Sequence, residues 1–262
     1  MIPPAKLAAS GEECFPEGLT LRREEGVLSL IINRPADLNR LTPEVLARLG
    51  SVAESLREDS DTQVLVISGA GSEHFSMGIL NPALRASYTK EQILGLVGLA
   101  NRTFDAIEAL PQIVIAAING KVLAGAVELC LACDLRYAAE HATLCMPEAA
   151  WGGFPGAGGP VRLPMLVGRA RAIELISTAR EIAAGEMKEY GIVQDVYPPA
   201  SFYATVMATA RRIAENGPLA TRGAKRIVNA RLAPGFQHSR ELADTLRRAL
   251  EWSRDVDEGI AA

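Results

Sequence analysis

GKVLAGAVELCLACDLRYAAEHATLCMPEAAWGGFPGAGGP, residues Gly120 to Pro160, is the stretch on which fold and chemistry both turn. Glu128 interrupts VLAGAVELCLAC, an apolar run that otherwise reads as a buried helix. Glu148 follows Pro147 at the end of a short apolar segment and precedes a glycine-rich turn. A carboxylate in apolar surroundings either finds a partner or has its pKa raised by the cost of burying charge. Two such groups converging on one pocket can divide acid and base duties between them. On their own they fit a structural reading as well, with Glu128 paired to a core arginine and Glu148 in a solvated turn.

Outward from this block, the pattern alternates. Toward the N-terminus, GLTLRREEGVLSLIIN reads as two strands around a turn at Glu25-Gly26. Thr42-Pro43-Glu44 starts a helix, with a capping hydroxyl, proline at the first helical position and an early acid. TQVLVIS, Thr62 to Ser68, is a continuous apolar strand of the kind buried inside a parallel sheet. Thr89 with Gln92 forms a capping box that opens a helix to about Leu110, and Gln112 to Ile118 is another buried strand. Asp134 to Ala139 and a short segment ending near Met146 complete the strands around Glu128. Strand, helix, strand in this order implies right-handed parallel crossovers. From about Pro160 the pattern turns helical, interrupted by a strand at Ile192 to Tyr197, and HSRELADTLRRALEWSRD is amphipathic. The predicted organisation is an N-terminal arm over 1–17, a core over 18–197 and a helical region over 198–262.

Composition narrows the function classes. A chain of 262 residues, 48% hydrophobic and 22% charged, is an ordinary globular composition with room for one large domain. A net charge of -4 offers no basic field to nucleic acid or an anionic membrane, so neither is expected as a partner. No run reaches the roughly eighteen apolar residues of a membrane span. MIPPAKLAASGEECFPEGLT has neither a signal-peptide core nor the arginines of a transit peptide, and a cytoplasmic location is expected. Cys14, Cys130, Cys133 and Cys145 are too few for a disulfide scaffold.

Several chemistries drop out. Gly69-Ala70-Gly71 follows a strand, but His74 stands where a dinucleotide fingerprint needs its third glycine. The chain has no GxxxxGK[ST] and no GxSxG, which argues against a P-loop and a serine-hydrolase elbow. His74, His141 and His238 lack ligand-spaced partners, so no metal is expected. Cys130 and Cys133 sit inside an apolar helix, where a pair of small buried residues is the better reading than a redox couple.

The signals that remain coincide. GAGSEHFSMG, INGKVLAGAVELCLACDLRYAAEHA and MPEAAWGGFPGAGGPVRLPMLVGRARAIELISTAREI closely resemble the enoyl-CoA hydratase/isomerase (crotonase) superfamily. The resemblance runs from NRPADLN to PLATRGAKRIVNA and SRDVDEGIAA, and so covers the chain from about residue 18. It implies an α/β fold with a crotonase-like (ββα) superhelix core and a helical C-terminal trimerisation region, and hence a homotrimer or homohexamer. It also implies an acyl-CoA thioester as substrate, no separate cofactor because coenzyme A belongs to the substrate, and an oxyanion hole made by the backbone N–H groups of Ile79 and Gly125. Physical reasoning agrees for Gly125: Ala124-Gly125-Ala126 opens a helix, whose first amides are unpaired and lie at its positive end.

By the same resemblance Glu128 orients and deprotonates a water, while Glu148 donates a proton to the α-carbon. Substrate-binding positions are Met77, Gly78, Leu80, Ala124, Trp151 and Arg40. The chain departs from the family pattern at several of these. Leu80 stands for a common aspartate, Asp37 for a lysine, Arg40 for a small residue, AGAVEL for GGGCEL, and Trp151 and Met77 for smaller residues. The implied activity is 2-enoyl-CoA hydration. Alternatives are a Δ3,Δ2-enoyl-CoA isomerase, a specialised acyl-CoA dehydratase and, outside enzymes, a catalytically weak acyl-CoA-binding protein.

Overall fold

The computed structural model describes residues 11–153 and 155–232. Its elements are β1 (Gly11–Phe15), β2 (Leu19–Glu24), β3 (Val27–Ile32), α1 (Pro43–Arg57), β4 (Val64–Gly69), β5 (His74–Ser76), α2 (Pro82–Ala86), α3 (Lys90–Glu108), β6 (Ile113–Ile118), β7 (Lys121–Leu123) and α4 (Gly125–Leu131). There follow β8 (Leu135–Ala139), β9 (Thr143–Cys145), α5 (Gly159–Thr178), β10 (Ile182–Ala183), α6 (Ala184–Glu189), β11 (Asp195–Tyr197), α7 (Pro199–Ala214) and α8 (Pro218–Leu232).

Seven strands form one sheet in the order β1-β2-β3-β4-β6-β8-β11, and four form a second in the order β10-β9-β7-β5. In the large sheet β1, β2 and β3 pair antiparallel, whereas β3, β4, β6, β8 and β11 run parallel. Each central strand of the large sheet continues into a short strand of the small one: β4 into β5, β6 into β7, β8 into β9. A helix then returns the chain to the large sheet. This strand-strand-helix repeat is the (ββα) superhelix expected above.

The central strands are apolar throughout because both their faces are covered. Successive side chains point to opposite faces. Leu28, Leu30, Leu65, Ile67 and Val114 pack with Leu46, Leu49 and Val52 of α1 and with Phe104 and Ile107 of α3. Val27, Val64, Val66 and Ile115 meet Phe202, Val206, Met207 and Ala210 of α7. Each fully buried leucine or phenylalanine contributes about 2 kcal/mol to that core. Among the described residues no helix is long and apolar enough to cross a membrane.

Local signals act where the chain places them. Thr42 accepts a hydrogen bond from the Val45 amide at 3.4 Å, and Thr89 and Gln92 close their reciprocal capping box at 2.8 and 3.2 Å. Two differences from the sequence reading stand out. The expected arm over 1–17 contains an edge strand, β1, whose alternating GEECF carries little apolar signal. The first helical stretch beyond Pro160, α5, is continuous in sequence but kinked at Gly168, whose φ of 76° and ψ of 165° interrupt the helical path, and α6, α7 and α8 follow it. HSRELADTLRRALEWSRD and SRDVDEGIAA lie outside the described residues.

Two buried asparagines hold the turn between β4 and β5. Asn119 accepts from the Gly69 amide at 3.1 Å and donates to the carbonyls of Gly69 and Gly71 at 2.9 and 2.7 Å. Asn39 donates to the carbonyls of Ala70 and His74 at 2.9 and 2.8 Å. The path from that turn sets where Ile79 emerges.

Candidate active site

Gly125 is the first residue of α4, so its N–H has no partner within the helix. Ala124 before it holds φ 53° and ψ -129°, a conformation costly for any residue with a side chain, and donates its own N–H to the Cys145 carbonyl at 2.9 Å. Gly78 packs against this corner: a Cβ there would stand 2.5 Å from the Leu123 carbonyl and 3.2 Å from the Gly125 nitrogen. The Ile79 side chain lies beside Gly125, where a Cβ would meet Ile79 Cδ1 at 2.7 Å. Residues 78–79 and 124–125 are thus in contact, and among the described residues neither the Ile79 nor the Gly125 N–H donates a hydrogen bond. The far end of α4 is held by buried Arg136, which donates to the carbonyls of Cys130 and Cys133 at 3.3 and 2.5 Å and to that of Ile192 at 2.7 Å. Cys130 and Cys133 are free thiols, and burial pushes Cys133 up to about 12, far from a reactive thiolate.

Glu128 lies one turn into α4 and is 2% exposed. Among the described residues no arginine forms an ion pair with it. Its Oε1 accepts from the backbone N–H groups of Ala157 and Gly159, both at 2.8 Å. Burial raises its pKa to about 7; the two amides and Arg162 pull the other way, and repulsion from Glu148 adds to the rise. Glu148 sits on the 3-10 turn Pro147–Ala149, which Pro147 starts at its first position. Burial raises its pKa to about 7 too, and its Oε2 is buried with no hydrogen-bond partner among the described residues. The solvated-turn alternative for Glu148 therefore does not hold.

Both carboxyls line one pocket of roughly 100 Å³. Its wall also carries Ile79, Leu80, Ala124, Gly125 and Trp151 from the sequence-derived set. Gly78 supports it from behind. Met77 is half-buried outside the wall, its N–H donating to the Leu38 carbonyl at 3.1 Å. Arg40 lines a neighbouring recess of about 590 Å³, which Ile79 and Asn81 share with the first pocket. Arg40 there pairs with Asp37 at 3.5 Å, and its buried Nη1 has no partner among the described residues.

Some residues of the site escape the sequence reading. The loop that donates to Glu128 is anchored by Arg162, whose Nη1 donates to the Ala157 carbonyl at 3.1 Å while its other nitrogens hold Asp105 and Glu108 at 2.5 to 3.0 Å. Asn101 donates to the Gly156 carbonyl at 2.8 Å. Arg85, on α2, lines the pocket as well. A signal for α2 exists in Asn81-Pro82, a cap followed by proline at the first position; Asn81 accepts from the Leu84 amide at 2.8 Å.

This geometry can now be set beside known proteins. The family model described as enoyl-CoA hydratase/isomerase matches residues 22–262. YngF, a protein of Bacillus subtilis, is 40% identical over 207 residues, 79% of each chain. A crotonyl-CoA hydratase of Syntrophomonas wolfei is 32% identical over 246 residues, 94% of each chain. The crystal structure of an enoyl-CoA hydratase from Bacillus anthracis, 36% identical, superposes with a TM-score of 0.90 over 94% of this chain and 95% of that one. With a shared (ββα) core and a match across nearly its whole length, the chain belongs to the enoyl-CoA hydratase/isomerase, or crotonase, superfamily of enzymes.

Proposed function

We propose that the protein is a 2-enoyl-CoA hydratase. The observation that carries this reading is the convergence of two protonatable carboxyls, Glu128 and Glu148, on the pocket that also exposes the corner of Ile79 and Gly125. The thioester carbonyl oxygen is received by the N–H groups of Ile79 and Gly125. Preformed donors of this kind lower the barrier to a charge-developing step by about 3–4 kcal/mol. Glu128, oriented by Ala157 and Gly159, takes a proton from a water held between the carboxyls, and the hydroxyl adds to the β-carbon. Electrons flow to the carbonyl oxygen, and the enolate collapses as Glu148 gives its proton to the α-carbon on the same face. The pair ends with its proton moved from Glu148 to Glu128, and solvent exchange restores the start. Two acids that share one proton near neutrality suit both directions of the reaction. No metal or redox cofactor enters these steps.

Arg40, with one nitrogen unpaired in the adjoining recess, is the proposed contact for the anionic end of coenzyme A. Met77 and Gly78 act indirectly, by carrying the chain to Ile79. A homotrimer or homohexamer is the proposed assembly, supported by the exposed Val161, Met165 and Ile173 on α5. Sedimentation showing only a monomer at working concentration would argue against it.

The test is loss of the conjugated-thioester absorbance of a short 2-enoyl-CoA. Glu128→Gln and Glu148→Gln are each expected to lower the rate more than a hundredfold, and full activity in either removes its role. The unpartnered Oε2 of Glu148 favours one competing reading, a Δ3,Δ2-isomerase that needs a single shuttling acid. Formation of 2-enoyl-CoA from 3-enoyl-CoA with Glu128→Gln still active would select it. Tight thioester binding without turnover across a substrate panel would select the acyl-CoA-binding alternative.

A further inference from the structure

The pocket wall is mostly apolar, built by Leu80, Pro82, Ile93, Val97 and Trp151, and its two acids sit by α4 and the Pro147 turn. Among the described residues on that wall, Arg85 is the one cation. It rises from the last turn of α2 and reaches toward the segment that follows Glu148. Its Nη1 lies 3.9 Å from where a Cβ on Gly153 would stand. Unlike Arg40, Arg162 and Arg180, it has no carboxylate within ion-pair distance among the described residues, and its guanidinium makes no hydrogen bond to them.

An arginine beside two carboxyls would ordinarily be read as their counter-ion. Here it is not. Glu128 is held by amides 157 and 159, and neither glutamate's charge is set by Arg85. The guanidinium is left as a planar, permanently charged donor set at the edge of an apolar cavity, which suits a second anion brought in by the ligand. Glu128, Glu148 and Arg85 line this one pocket, so an anion bound by the guanidinium shares it with the reacting carbons.

Resting on the hydratase reading for the reaction, we propose that Arg85 selects a 2-enoyl-CoA whose acyl chain ends in a carboxylate, the monothioester of an unsaturated dicarboxylic acid. The carboxylate pairs with the guanidinium across the pocket from Glu128, and the apolar wall between them holds the intervening carbons. Because Arg85 is largely exposed, the pairing is screened by salt.

Glutaconyl-CoA and trans-2-pentenoyl-CoA, five carbons each, differ by a terminal carboxylate against a methyl group. Wild type is expected to favour glutaconyl-CoA at least tenfold in kcat/KM, chiefly through KM, and less so in 0.5 M salt. In Arg85→Gln that ratio falls to about one, with Arg85→Lys intermediate. Binding of the saturated pair, glutaryl-CoA against pentanoyl-CoA, measured by calorimetry on the same three proteins, reads the preference without chemistry. A wild-type ratio near or below one in both assays, or a preference that survives in Arg85→Gln, overturns the proposal. Turnover of both enoyl thioesters without preference rejects Arg85 and keeps the hydratase. A binding preference lost in Arg85→Gln with no turnover keeps Arg85 and rejects the hydratase.

Discussion

The Gly159 N–H stands 2.8 Å from Glu128 Oε1, an approach that depends on the absence of a side chain. A Cβ at 159 would meet that same oxygen at 3.1 Å and Pro155 Cβ at 3.0 Å. Gly159→Ala must therefore displace the loop or the carboxyl. We expect kcat on a 2-enoyl-CoA to fall about tenfold or more. The accompanying loss of stability should be about 1–2 kcal/mol by urea denaturation, typical of mild overpacking. A variant with unchanged kcat would show that the amide does not orient the acid.

Stability should register the buried acids independently of activity. Glu148 has a folded pKa of about 7 against an ordinary 4.5, so the native state holds its proton more tightly than the unfolded chain. Below about 4.5 both states are protonated. Between 4.5 and 7 the unfolded chain loses its proton first, and the native state is progressively disfavoured; above 7 the penalty is constant. Across that window Glu148 costs on the order of 3 kcal/mol. Glu148→Gln should therefore gain in Tm relative to wild type as pH rises from 4.5 to 7, with the gain level above 7. A pH-independent difference would contradict the raised pKa.

The same pair shapes the rate. The proposed hydration needs Glu128 ionised and Glu148 protonated, and both titrate near 7, so kcat/KM should follow a narrow bell centred near neutrality whose two apparent values belong to the pair. Arg162 draws Glu128 toward ionisation. Removing its charge in Arg162→Met should move the acidic limb upward, beyond any loss in rate from a loosened loop. A limb that stays in place would assign Arg162 to packing alone.

Ala124 keeps a backbone conformation suited to glycine. Relief of such strain is worth about 1–3 kcal/mol, offset by about 0.5–1 kcal/mol for glycine's greater freedom in the unfolded chain. Ala124→Gly should stabilise the protein by about 1 kcal/mol, seen as a higher urea midpoint at unchanged m. It also removes a methyl from the pocket wall, so bulkier 2-enoyl thioesters should gain relative to short ones.

Much of this was legible in the residues. The caps at Thr42 and Thr89, the apolar strands ending at Ser68 and Ile118, and the PE pair at 147–148 announce themselves through patterns that local chemistry imposes. The edge strand β1 did not, because a solvated strand needs no apolar alternation. The short strands β5 and β7 fell below any periodic window. Glu128's partners were hidden for a deeper reason: they are amides, which every residue but proline carries, so no letter marks them. Arg85 was missed because α2 is only five residues long, too short to show a helical period, although Asn81-Pro82 advertised its start.

The two donors proposed at 79 and 125 belong to the main chain, and that has an evolutionary corollary. A replaced side chain cannot delete them; only a rerouted backbone can. A descendant could exchange either acid, or enlarge and reshape the acyl cavity, and still inherit a cradle for the same oxygen. New reactions on thioesters would then begin from a scaffold that already grips its substrate.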